Sequence, residues 1–225
     1  MARCSTNKTK VILSWSSGKD SALALYQLLQ DSDYEVVGLL TTVTNGYRRV
    51  SMHGVREELL ELQATNLDLP LYKIRIPKSC SDEIYRSKMK GIIAKLEKQG
   101  VSHIAFGDLF LKEIRHYREQ RLKDTTIAPL FPLWNMDTKQ LAHDFVKLGF
   151  KAITTCIDTT KLPSIFLGNE FDTEFINKLP PHADPCGENG EFHTFVYNGP
   201  IFDTKINCTK GTVIKNKNLL FIDLI

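Results

Sequence analysis

The chain has 225 residues, of which 42% are hydrophobic and 24% charged, with a formal net charge of +3. This balance suits a soluble globular protein with one large α/β domain and room for a small appendage. It excludes a membrane span, because no apolar run approaches roughly 18 residues, and no Lys/Arg-rich block suggests general nucleic-acid affinity. Five scattered cysteines (Cys4, Cys80, Cys156, Cys186 and Cys208) form no C-x-x-C pair, which argues against a disulfide framework and fits a reducing cytoplasm. The opening Met-Ala-Arg-Cys-Ser-Thr lacks an apolar signal region, so a cytoplasmic location is expected.

Short apolar runs alternate with helical-period segments through residue 160. Val11 to Trp15 predicts a strand, and Asp20 to Gln30 a helix burying Ala22, Leu25, Leu28 and Leu29. Glu35 to Val43 is a second strand rich in β-branched residues. Val55 to Asn66 predicts a helix, Leu71 to Ile76 a strand stopped by Pro77, and Ser81 to Gln99 a long amphipathic helix ended by Gly100. Ser102 to Phe106 is the fourth strand, leading into Gly107-Asp108, and Thr138 to Leu148 a helix before the strand Lys151 to Ile157. Such alternation implies parallel βαβ units in a doubly wound, Rossmann-like sheet, which binds ligands at the carboxyl ends of its strands. Beyond residue 160 the pattern changes to a short helix near Thr173–Lys178, a strand Phe192 to Tyr197, and strands from Lys205 with a hairpin around Asn216-Lys217-Asn218. The expected division is therefore 1–160 as a nucleotide domain and 161–225 as a small α+β extension.

The stretch Ser14-Trp-Ser-Ser-Gly-Lys-Asp-Ser21 joins the first strand to the first helix. It fails the Walker A rule twice: Leu13 stands where the first glycine belongs, and Asp20 follows Gly-Lys in place of Ser or Thr. A strand–loop–helix junction still gathers backbone N–H groups and the positive helix end at one point, which favours an anion. Gly18 permits the tight backbone, Ser16, Ser17 and Ser21 offer hydroxyls, and Lys19 adds a charge. Asp20 suits a phosphate only with a divalent cation between them, and magnesium takes one or two carboxylates with phosphate oxygens. The alternative is that Asp20 caps the helix and the serines fill a turn.

S-x-S-G-K-D-S after a first strand resembles the PP-loop of enzymes that cleave ATP between the α and β phosphates, with Ser17 in place of the usual first glycine. "RVSMHGVREELLELQATNLDLPL", "FGDLFLKEIRHYREQRL", "APLFPLW" and "DPCGENGEFHTFVYNGPIF" extend the likeness, in order, to the diphthine–ammonia ligase family. That resemblance implies a PP-loop ATPase-type fold, with ATP and magnesium as cofactors. The activity it implies converts a carboxylate, that of diphthine on elongation factor 2 or a related acceptor, to an amide with ammonium as nitrogen source. It places the pyrophosphate part of ATP on Ser14, Ser16, Gly18, Lys19, Asp20 and Ser21. It puts Thr42 with Val43, His53 with Gly54, and Gly107 with Asp108 at the ligand edge. A PP-loop tRNA-modifying enzyme and an ATP-binding sensor without turnover remain the alternatives, and a homo-oligomeric state stays open.

Arg115 and Arg118 follow Gly107-Asp108 at helical spacing, and their guanidinium forks suit phosphate or carboxylate oxygens; a solvated charged face is the other reading. Cys186, Gly187, Glu188, Glu191 and His193 crowd one glycine-containing loop assigned to the substrate. Glu188 and Glu191 are expected to orient ammonia or take its proton. A zinc site, a Cys186–His193 nucleophile pair and an ordinary tight turn are the competing readings.

Overall fold

The computed structural model describes residues 8–45, 49–50 and 54–225. Thr9–Ser14 (β1), Lys19–Gln30 (α1), Tyr34–Thr44 (β2) and the two-residue Arg49–Val50 (β3) open the chain. Glu57–Asn66 (α2), Leu71–Ile76 (β4) and Asp82–Lys98 (α3) follow, then His103–Ala105 (β5), Lys112–Leu122 (α4) and Ala128–Leu130 (β6). Five of these strands pair in parallel in the order β4-β2-β1-β5-β6, and β3 lies antiparallel to the carboxyl end of β2. The doubly wound sheet expected from the alternation is present.

The strands explain the two layers of helices. Successive strand residues face opposite sides, and in β1 Val11 and Leu13 join one core while Ile12 joins the other. Leu39 and Leu40 divide the same way, as do Ala105 and Ile104. The first core takes Leu25 and Leu28 of α1 with Leu59 and Leu60 of α2; the second takes Ile93 and Leu96 of α3 with Leu122 of α4. Strands buried on both faces need apolar residues at nearly every position, which is how these runs read.

The rest of the chain builds a second layer: Thr138–Lys147 (α5), Lys151–Asp158 (β7), Thr173–Lys178 (α6), Phe192–Asn198 (β8), Lys210–Asn216 (β9) and Leu219–Leu224 (β10). Its four strands are antiparallel in the order β8-β7-β10-β9. The strand expected at 151–157 is there, but it pairs with β8 and β10 and not with the parallel sheet. Ala152 to Ile157 is buried at every position, and such a run carries no mark of whether its neighbours are parallel or antiparallel. The turn between β9 and β10 falls at Lys217-Asn218, with Lys217 at φ 53°. Phe145, Phe171, Phe192 and Phe195 continue the first core into this layer, so the two sheets share one apolar interior. Among the described residues no helix is long and apolar enough to cross a membrane.

Candidate active site

The loop after β1 gains its shape from both sheets. Trp15 N–H donates to Leu40 O (2.8 Å), carrying the strand pairing one residue past β1. Ser17 then takes the left-handed φ of 73°, and Gly18 stands at the N-cap of α1 with extended backbone (φ −94°, ψ 175°). The N-cap residue is a glycine without a side-chain cap, and Asp20 lies inside the helix, so the alternative that Asp20 serves as its cap is set aside. From the second sheet, Val196 N–H donates to Ser17 O (3.0 Å) and Thr194 Oγ1 accepts from Lys19 N–H (3.0 Å). Gly107, just past β5, lies so close to α1 that a Cβ would meet the Asp20 carbonyl carbon at 2.9 Å and Ser21 N at 3.1 Å. A glycine is required for that approach.

Lys19 is only 2% exposed, yet its Nζ ends 2.5 Å from Asp20 Oδ1 and 5.7–5.8 Å from the ring centroids of Phe192 and Phe171. Burial opposes its charge, but Asp20, with Cys186 and Glu188 nearby, outweighs that cost and holds the lysine pKa above its ordinary value. Lys19 is therefore an ammonium held in an apolar sleeve.

Above the loop lies a cavity of about 210 Å³. Ser14, Ser16, Lys19, Asp20 and Ser21 form its floor. Gly107, Asp108 and Arg118 form one wall, and Gly187, Glu188 and His193 the other. It adjoins a larger cleft of about 790 Å³ that shares Ser14, Ser16, Asp108, Arg118, Glu188 and His193. Thr41, Thr42, Val50, Ile76, Tyr85 and Ile114 line that larger cleft, at the carboxyl ends of β2 and β4. Arg118 Nε bonds Asp108 Oδ2 at 3.2 Å, so the arginine is already oriented across the wall.

The 184–193 loop is organised by its own acids. Asp184 Oδ1 accepts from Cys186 N–H (2.9 Å) and Glu188 N–H (3.1 Å), while Oδ2 accepts from Thr138 Oγ1 at the start of α5 (2.7 Å). Glu191, 2% exposed, takes Asp184 N–H on Oε1 (2.8 Å), and its Oε2 is buried without a hydrogen-bond partner among the described residues. Glu188 reaches across to the first sheet, accepting Leu109 N–H at 2.9 Å. Burial, assisted by the Asp20 and Asp108 charges, raises its pKa to about 7 against the pull of the Leu109 bond. Burial drops His193 to about 4, so its imidazole is neutral at physiological pH. Burial also pushes the Cys186 thiol up to about 12, and its Sγ donates to Thr138 O, which leaves a poor nucleophile.

The structure thus gathers most of the residues singled out in the sequence, and it leaves some aside. Ser17 and Gly18 shape the loop from beneath and do not line the cavity. Arg115 turns away: its guanidinium lies 4.9 and 4.8 Å from the ring centroids of Phe131 and Trp134, with Glu119 at 2.8 Å. Cys186 and Glu191 sit behind the cavity wall. His53 lies outside the described residues. Sequence reasoning missed Thr194, Phe106 and Tyr85. None of the three had a local signal: next to His193 on a strand, Thr194 reads as facing the opposite side.

Among the described residues no three His, Cys, Asp or Glu side chains converge as a protein metal cage. Magnesium does not require one, since it is commonly held by one or two carboxylates plus substrate phosphates. Asp20, about a third exposed on the cavity floor, fits that arrangement.

A doubly wound sheet whose first strand runs into a serine-rich loop, with lysine and aspartate beginning the next helix, defines a Rossmann-like protein of the PP-loop type. Residues 9–126 match the diphthamide synthase N-terminal domain, and residues 137–221 match the diphthamide synthase C-terminal domain. The chain belongs to the diphthamide synthase family. A diphthine–ammonia ligase of Schizosaccharomyces pombe is 26% identical over 232 residues, covering 93% of this chain but 38% of the relative, so the chain spans well under half of that protein. Diphthine–ammonia ligases of Bos taurus and Homo sapiens are 27% and 26% identical, each covering 88% of this chain and 82% of the relative.

Proposed function

We propose that the protein is an ATP-dependent ligase that amidates a carboxylate with ammonia, releasing AMP and pyrophosphate. The observation that carries this reading is one 210 Å³ cavity facing the Lys19 ammonium on one side and the Glu188 carboxyl on the other. The names of the relatives and the family support diphthine as the acceptor, and we place that diphthine on an elongation-factor-2-type protein. We place the division between the two units between β6 and α5.

The pyrophosphate half of ATP would lie over the loop in the smaller cavity, with the nucleoside in the larger cleft against Thr42 and the ends of β2 and β4. Asp20 would hold the magnesium ion, which when bound supplies countercharge to the phosphates. In the first step an acceptor carboxylate oxygen attacks the α-phosphorus, the α–β bridging bond breaks, and pyrophosphate leaves with the electron pair. Lys19 and Arg118 stabilise the charge that grows on that leaving group, in a site preorganised by burial. In the second step ammonia attacks the acyl carbon, the bond to AMP breaks, and the nitrogen sheds a proton to Glu188. A carboxyl poised near pH 7 suits this exchange. We place Glu191 behind it as the anchor that sets the loop.

The test uses ATP labelled at the α and γ positions, ammonium, and an elongation factor carrying diphthine. AMP and pyrophosphate formed only with both co-substrates support the ligase. ADP and phosphate would overturn the PP-loop chemistry, and a bound nucleotide with no turnover under any acceptor would favour a sensor.

A further inference from the structure

Ser17 poses a conformational problem. Its φ of 73° lies in the left-handed region that glycine adopts freely and other residues rarely do. Its Oγ is buried and finds no hydrogen-bond partner among the described residues, so the side chain does not stabilise that conformation. A backbone strained in this way persists only where surrounding contacts over-determine it.

Those contacts converge on one side chain of α2. Gln63 is fully buried, and its amide makes three hydrogen bonds, two to the β1–α1 loop and one to β8. Oε1 accepts from Trp15 Nε1 at 2.8 Å, and Nε2 donates to Ser17 O at 3.1 Å and to Val196 O at 2.6 Å. Val196 N–H closes the cluster by donating to the same Ser17 carbonyl at 3.0 Å. The Trp15 donor fixes which end of the amide is oxygen, because an amide turned the other way would set N–H against N–H at Trp15 and oxygen against two carbonyls. All of the amide's hydrogen-bonding groups serve the loop and its contact with β8.

We propose that Gln63 is a positioning residue that holds the Ser17 peptide in its left-handed conformation, and through it keeps the phosphate loop registered against β8. It touches neither cavity and acts only through the loop. The requirement arises from serine at position 17: a glycine there would occupy the same conformation without being held.

The experiment combines Gln63→Leu with Ser17→Gly and reads backbone hydrogen exchange at Lys19 and Val196, whose N–H groups bond Thr194 Oγ1 and Ser17 O. Gln63→Leu is expected to speed exchange at both amides by about tenfold beyond any change in global stability, the scale of one lost hydrogen bond. Adding Ser17→Gly should restore most of that protection while leaving the loss in thermal midpoint unrepaired. Unchanged exchange in Gln63→Leu would overturn the proposal, and so would a loss that Ser17→Gly does not repair. If Gln63→Leu fails to fold, Trp15→Phe removes the donor that orients the amide, along with part of the indole's bulk. The same faster exchange, repaired by the same glycine, is expected there, and its absence would be equally decisive. Calorimetric ATP affinity is a second readout, expected to fall about tenfold and recover with the exchange. Absence of ATP binding by the unmodified protein would count against the ligase reading while the exchange result still decides the role of Gln63.

Discussion

Two loops meet at the cavity, and they are built on opposite principles. The Ser14–Ser21 loop is framed from outside, by the strand and helix it joins and by hydrogen bonds with Gln63, Thr194 and Val196, and its functional groups lie within a few residues of one another. The 184–193 loop has no such frame. Asp184 and Glu191 hold it by accepting its own N–H groups, and Glu188 and His193 present its polar side chains to the cavity beside the Phe192 ring. The first loop spends its acid, Asp20, on the ligand side; the second spends two of its three acids on holding itself together.

That contrast orders the effects of mutation. Asp20→Ala should cause the largest loss, on the order of 10²–10³ in the ATP-cleaving step, together with a lower unfolding temperature because the buried Lys19 ammonium loses its partner. Normal pyrophosphate release would remove Asp20 from the chemistry. Glu188→Gln should spare adenylate formation, read by ATP–pyrophosphate exchange, and slow amide formation on the order of 10²-fold. Glu191→Gln keeps an acceptor for Asp184 N–H, and should lower the same step only a few-fold; parity between the two variants would erase the distinction drawn between facing and anchoring acids. Asp184→Ala leaves two backbone N–H groups and Thr138 without their acceptor, and should cost about 2 kcal/mol in denaturant unfolding.

The pH dependence follows from Glu188. Its pKa in the fold, about 7, lies above the ordinary glutamate value of 4.5. The stability this gives is therefore fully present below the unfolded value and is lost as pH rises through about 7. Between pH 5 and 8 the protein should lose about 1–2 kcal/mol relative to Glu188→Gln, measured by urea unfolding at each pH. Parallel pH profiles would contradict the burial assigned to that carboxyl. The smallest effect belongs to Arg115→Ala, which should lower stability by about 0.5–1 kcal/mol through lost stacking on Phe131 and Trp134 while leaving ATP affinity unchanged.

The same contrast decides what was legible in the sequence. The β1–loop–α1 unit and the parallel sheet were readable because apolar runs, a glycine and a helical stripe fall in one short window. The three-residue β6 escaped notice, since Pro129 interrupts it; as an edge strand it tolerates a proline. β7 was found but assigned to the wrong sheet, because partners forty and sixty residues downstream leave no trace in its own residues. Among side chains, Arg115 and Arg118 looked alike, as did Glu188 and Glu191. In each pair the two residues lie three apart, and in each only one meets the cavity. Spacing places such residues near a site, but which of them faces it depends on neighbours distant in sequence: Phe131 and Trp134 take Arg115, and Asp184 takes Glu191.

The central claim is that the acceptor carboxylate attacks the α-phosphorus above the Lys19–Asp20 floor. A single turnover with acceptor carboxylate enriched in ¹⁸O tests it most directly, with mass analysis of the released nucleotide and phosphates. The account predicts one ¹⁸O atom in AMP and none in pyrophosphate. Label in inorganic phosphate, with ADP as the nucleotide product, would contradict it.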